Sequence, residues 1–177
     1  MADGVEIKKD IEGLINLSKA LEFVKNNSVY VGITDDTNDR EEEDGVKKPV
    51  TNAELLFIHT NGSYPNHIPK RPVIEPAIKD DANTLGKMMN EAFTLILKGD
   101  KEAAIKKLKT AGMRGQNVSR GWFTNPKNGW PPNSPSTIRA KKRKHKKKGY
   151  EPRPLIDTDE LRKSITYFVE TKGGRIK

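Results

Sequence analysis

The chain has 177 residues with 33 Lys and Arg against 24 Asp and Glu, a formal net charge of +9, and is 33% hydrophobic and 32% charged. It contains no cysteine, which excludes disulfides and thiolate metal sites. No apolar run is long enough to span a bilayer and no charged-then-apolar leader opens the sequence, so a soluble protein made in a cytoplasm, without a membrane partner, is expected.

The charge is uneven. Residues 1–118 hold 17 Lys/Arg and 19 Asp/Glu, whereas residues 119–177 hold 16 and 5. Such asymmetry predicts an electrostatic partner for the C-terminal third, either nucleic acid or an acidic protein surface.

In chain order, residues 6–26 read as a helix, with Ile7, Ile11, Leu14, Ile15, Leu21 and Val24 near one face. Residues 28–33, rich in β-branched and aromatic side chains, read as a strand. Residues 35–44 carry seven acids and one Arg, without the central Gly and terminal Glu of an EF-hand. A mobile, solvated acidic loop over about 35–47 is expected there. Thr51 or Asn52 caps a short helix over 53–59, which Asn61-Gly62 stops. A proline-punctuated connection leads to the longest predicted helix, 73–98, striped with Ile74, Ile78, Leu85, Met89, Phe93 and Ile96. Gly99 breaks it, and Asp100 caps a further helix over 101–118. The small residues Ala104, Ala111 and Gly112 suggest close packing of that helix against another.

Residues 121–152 then read as a long, irregular basic loop, rich in Pro, Gly and Lys. Asp157 or Thr158 caps a short helix through Lys163, and residues 164–170 form a second strand. Two strands alone are marginal, so they pair with each other or with a third piece such as Val46–Val50. The expected fold is α+β: a small antiparallel sheet packed against three to four helices in a single domain, 1–177, with long irregular loops or arms.

Little in the chain suggests chemistry. His59, His67 and His145 form no metal-ligand spacing, and His59 reads as a packing or capping residue. Ser134 and Ser136 lack a nucleophile elbow, and no glycine pattern cradles phosphate. The acids Glu75, Asp80 and Asp81 fall at helix-surface spacing. No catalytic, cofactor-binding or metal-ligating residue is expected, which disfavours an enzyme such as a nuclease.

What stands out is the stretch 121–168. Trp122, Phe123 and Trp130 sit among prolines and glycines, followed by Lys141, Lys142, Arg143, Lys144, His145, Lys146, Lys147 and Lys148. These ten aromatic and cationic residues, His145 aside, are the candidate interface. The cations either form a solvated loop or meet phosphates or an acidic neighbour. The aromatics either stack on bases, anchor the loop, or bury at a protein interface.

Three stretches taken together resemble a known family. They are Val29–Ile33 followed by Ala53–Gly62; Ile68-Pro69-Lys70-Arg71-Pro72-Val73-Ile74; and Gly121-Trp122 through Pro132–Thr137 and Pro154–Ile165. Their order and spacing over roughly 28–170 are similar to the virion-morphogenesis or tail-component proteins of long-tailed bacteriophages, the tail-completion and neck group. Family members commonly have Phe after the Arg-Pro pair and Gly after the Asp-Thr pair, where this chain has Val73 and Asp159. The resemblance implies a non-enzymatic structural protein of a virion or prophage, forming a ring with copies of itself at the head–tail junction or tail end. It would dock on other neck or tail proteins, with possible contact with passing DNA. The alternative from composition is a basic nucleic-acid-binding protein that uses 141–148 and the loop aromatics.

Overall fold

The computed structural model describes residues 3–39, 50–146 and 149–177. The fold is α+β, as expected. In chain order the elements are α1 (Asp3–Asn26), β1 (Ser28–Gly32), α2 (Asn52–Asn61), α3 (Ile74–Asp80), α4 (Ala82–Leu97), α5 (Lys101–Trp122), α6 (Pro135–Lys144), α7 (Glu160–Ser164), β2 (Thr166–Thr171) and β3 (Gly174–Ile176). The chain groups into two compact units that alternate along it. One gathers Met1–Val31, Asp81–Gly115 and Tyr167–Lys177; the other gathers Gly32–Asp80 and Gln116–Thr166. Composition and periodicity carry no signal for such alternation, because each segment looks like part of one amphipathic whole.

The core of the first unit joins Ala20 and Phe23 of α1, Ala92 and Ile96 of α4, Ala104 and Leu108 of α5, and Val169 of β2. The strand order is β1-β2-β3, and β2 pairs antiparallel with β3 through Val169↔Ile176 and Thr171↔Gly174. A turn at Lys172 and Gly173 joins them, and Gly174, which opens β3, has φ +106°. Among the described residues the third strand is this hairpin partner, and β1 and β2 neighbour each other as expected. Residues 46–49 lie outside the described residues, and Val50 belongs to no strand. Tyr30 stacks on Phe168 at 4.9 Å between ring centroids, with the Arg175 guanidinium 4.6 Å from the same Phe168 ring.

Two helical expectations change in this unit. The helix anticipated over 73–98 is broken at Asp81, whose φ and ψ are −102° and 11°. The Asp81 carboxylate is held bidentately by Arg114, Nε donating at 2.7 Å and Nη2 at 2.6 Å. The stripe residues Ile78 and Leu85 stand seven apart across the break, a helical spacing, so periodicity does not reveal it. In α1, Ala20 and Phe23 face the core, whereas Leu14, Ile15, Leu21 and Val24 of the expected buried stripe are exposed. At Gly112 the close neighbour is a strand, not a helix: a Cβ there would be driven into the ring of Tyr167.

In the second unit, Thr51 caps α2 through a capping box with Glu54, and Gly62 at φ +74° ends it. A Cβ on Gly62 would lie 2.9 Å from the Ile68 carbonyl oxygen, so only glycine lets the chain turn that closely there. Asp159, at φ +66°, precedes α7 in the capping position that Asp157 or Thr158 was expected to fill. Arg120 near the end of α5 donates to the carbonyls of Ile165 at 2.9 Å and Lys163 at 2.7 Å, tying α7 down.

The region expected to be an irregular basic loop, 121–152, is more ordered than that. It contains a 3-10 turn at Pro126–Asn128 and the ten-residue helix α6. Ser134 caps α6 by accepting from the Thr137 amide, and Pro135 occupies its first turn. The acidic loop expected over about 35–47 falls mostly on residues 40–49, outside the described residues; Asp35–Thr37 form a 3-10 turn.

Candidate functional site

The ten candidate residues do not form one surface. Trp122 and Phe123 are 6% and 2% exposed, so they belong to the core of the second unit and not to a docking face. Trp130 is half-buried. Its indole Nε1 donates to the Pro72 carbonyl at 3.0 Å, and its ring meets Phe123 edge-on at 5.7 Å. The aromatics among prolines are thus an internal clasp, because a rigid, wide ring fills the space that proline-rich backbone cannot close by hydrogen bonding.

The basic run divides by position on α6. Lys141 is half-buried and its Nζ donates to the carbonyls of Arg153 at 2.9 Å and Ile156 at 2.5 Å. Lys144 donates to Asp157 Oδ2 at 2.7 Å, and His145 meets Asp157 Oδ1 at 2.7 Å while stacking on Tyr150 at 4.6 Å. Lys142, Arg143 and Lys146 are exposed. Lys147 and Lys148 lie outside the described residues. The run is therefore half fastening and half open cation surface. Burial works to raise the pKa of Asp157, yet hydrogen bonds from Lys144 and His145, together with the charges of Lys144 and Lys141, outweigh it and hold the carboxyl below its ordinary range. Burial pulls the Lys141 ammonium down; Asp157 works against this, whereas Arg71 and Lys144 add to it.

A cavity of about 780 Å³ opens beside this helix, lined among others by His59 of α2, Arg71, Ser134 and Lys141 of α6 and its cap, Asp157 and Asp159. Arg71 is 7% exposed. Its Nε donates to the Pro131 carbonyl at 3.1 Å, and its Nη2 to Pro131 and Pro132, each at 3.0 Å. Its backbone amide donates to the His59 carbonyl at 2.6 Å. His59 has a buried Nδ1 without a partner, and its pKa falls to about 4 through burial, then the nearby charges of Arg71 and Lys141. Asp159 has a buried Oδ1 without a partner. His59, expected to be a packing or capping residue, is thus a neutral, half-buried part of a cavity lined by both cations and carboxylates.

Arg71 and Lys141 were the least visible parts of this arrangement. Arg71 stood in the proline-flanked segment 68–74, and Lys141 was indistinguishable in sequence from its neighbours. The Ser134-Pro135 pair is a cap-and-first-turn signal for α6, obscured by the dense like charge that follows. No group of three or more His, Asp or Glu suited to a metal ion occurs among the described residues. No helix among them is long and apolar enough to cross a membrane. Comparison with protein-family models, with curated proteins and with solved structures finds no match.

Proposed function

We propose that this chain is a structural virion protein of a tailed bacteriophage or prophage, a tail-completion or neck protein that acts by forming a ring at the head–tail junction or tail end. The observation that carries the reading is where the resembling stretches lie. Ala53–Gly62, 68–74, 132–137 and 154–165 are remote in sequence, yet they line or border one cavity in the second unit, whereas Val29–Ile33 and Gly121-Trp122 are not in its lining. A shared motif set that builds one substructure is a stronger argument than scattered matches. Exposed apolar side chains support an assembling subunit: Leu14 at 66%, Leu21 at 58%, Phe57 at 69% and Tyr64 at 93% exposure. A closed ring needs heterologous contacts of this kind between copies. Light scattering and electron microscopy of the pure protein test it: a discrete ring without DNA is expected, and a strict monomer at all concentrations counts against it.

The second reading, a nucleic-acid-binding protein, is favoured by the exposed cations Lys142, Arg143 and Lys146 on α6. It predicts retention on DNA that falls steeply with salt, without a ring.

A further inference from the structure

We infer that the cavity around Arg71 is a binding site for a carboxylate. The inference stands independently of the virion reading. Its starting point is a buried cation without a counter-charge. Arg71 is 7% exposed, and among the described residues no carboxylate makes an ion pair with it. Three hydrogen bonds to the Pro131 and Pro132 carbonyls engage Nε and Nη2, whereas Nη1 has no acceptor among the described residues. Carbonyl dipoles orient a guanidinium but do not neutralise it, and buried charges are normally paired. Lys141 adds a second cation to the lining, with two ammonium donors on backbone carbonyls and no further acceptor among the described residues. His59 offers a further unpartnered nitrogen, Nδ1.

The cavity, about 780 Å³, is within the size of small-ligand sites, roughly 300–1,000 Å³. The acids of the lining bear on the choice of anion. Asp157, Asp159 and Glu160 line the cavity too, so a phosphate, with two charges on one group, would meet more like-charge repulsion there than a carboxylate group with one. A planar carboxylate also matches the fork of a guanidinium. The carboxylate can belong to a free small acid or to the C-terminus or acidic side chain of a polypeptide segment. Both present the same group to Arg71.

The test titrates the full chain with glutarate, with a short neutral peptide bearing a free C-terminal carboxylate, with the same peptide amidated, and with inorganic phosphate. Chloride holds ionic strength constant. Binding is read from the NMR shift of the Arg71 Nε–H and from the His59 imidazole titration. Saturable binding of glutarate, of the free-acid peptide or of both is expected, with the His59 midpoint moving upward as the added negative charge favours imidazolium. Glutarate alone identifies a small acid; the peptide alone identifies a polypeptide terminus. Arg71→Lys and Lys141→Met should each weaken binding at least about tenfold. Because either substitution can loosen the fold, thermal melts accompany them, and the wild-type titration decides by itself. If no carboxylate saturates the site, if the amidated peptide binds as well as the acid, or if phosphate binds more tightly than both, Arg71 is only a strap for the Pro131-Pro132 segment and the inference fails.

Discussion

The close approach of α5 to β2 at Gly112 makes one substitution informative. Replacing Gly by Ala inside a helix ordinarily stabilises by about 1 kcal/mol, through the lost backbone freedom of the unfolded chain. At Gly86 of α4, which is exposed and has nothing within 4 Å of the added Cβ, that gain should appear unopposed. At Gly112 the same methyl would overlap Cδ2 of Tyr167 and stand 3.0 Å from Cγ and Cε2. Tyr167 is 9% exposed, so its ring has little room to swing away. Overpacking of this kind costs roughly 1–3 kcal/mol. The net effect of Gly112→Ala is therefore a loss of about 0–2 kcal/mol, against a gain of about 1 kcal/mol for Gly86→Ala. At about 2–4 °C per kcal/mol for a chain of this size, the two variants should melt roughly 2–12 °C apart. Circular dichroism melts of both, read beside wild type, make the comparison. Adding Tyr167→Ala to Gly112→Ala supplies the double-mutant control, since the alanine should then be tolerated at residue 112. If Gly112→Ala raises the midpoint as much as Gly86→Ala does, the close contact is not a constraint and the account of α5 packing on β2 is wrong.

Other outcomes follow from the second unit. Lys142→Gln, Arg143→Gln and Lys146→Gln together should leave stability within about 0.5 kcal/mol per site while weakening any docking to an acidic surface or DNA, which a salt series on the folded variant checks. Lys141→Gln should differ from them, losing on the order of 1–3 kcal/mol in chemical denaturation because two backbone carbonyls lose their donor. Trp122→Ala and Phe123→Ala should each cost about 3–5 kcal/mol as core truncations, and Trp130→Phe about 1 kcal/mol for the lost bond to Pro72. His59 has a folded pKa of about 4 against an ordinary 6.5, so the unfolded chain takes up its proton first. Its contribution is full above pH 6.5 and is lost as pH falls towards 4; melts across that window should be flatter for His59→Gln, and an equal slope would contradict the burial of this ring.

The α+β class, the cap of α2, its stop at Gly62 and the Asp100 cap of α5 were legible because each rests on local chemistry. Asp100 Oδ1 does accept from the Ala103 amide at 2.9 Å. What sequence could not give was set by neighbours distant in the chain. The outward turn of Leu14 and Leu21 depends on which face of α1 meets α4, and both faces carry apolar residues. The burial of Trp122 and Phe123 was hidden by the prolines and glycines after them, which look the same in an exposed loop and in a clasp. Lys141 became a fastening only where carbonyls twelve and fifteen residues ahead bend back to it. The short strand Gly174–Ile176 was too brief to register by alternation.

The alternation of the two units along the chain also bears on biosynthesis. The core that holds Phe23 and Ile96 needs Val169, and the sheet begun by residues 28–32 needs the strands at 166–171 and 174–176. A ribosome delivers these pieces well over a hundred residues apart, at about 5–20 residues per second. For many seconds α1 and β1 must wait with their apolar sides uncovered. Truncation before β2 should therefore yield insoluble protein, where a sequentially organised two-domain chain would leave a folded fragment.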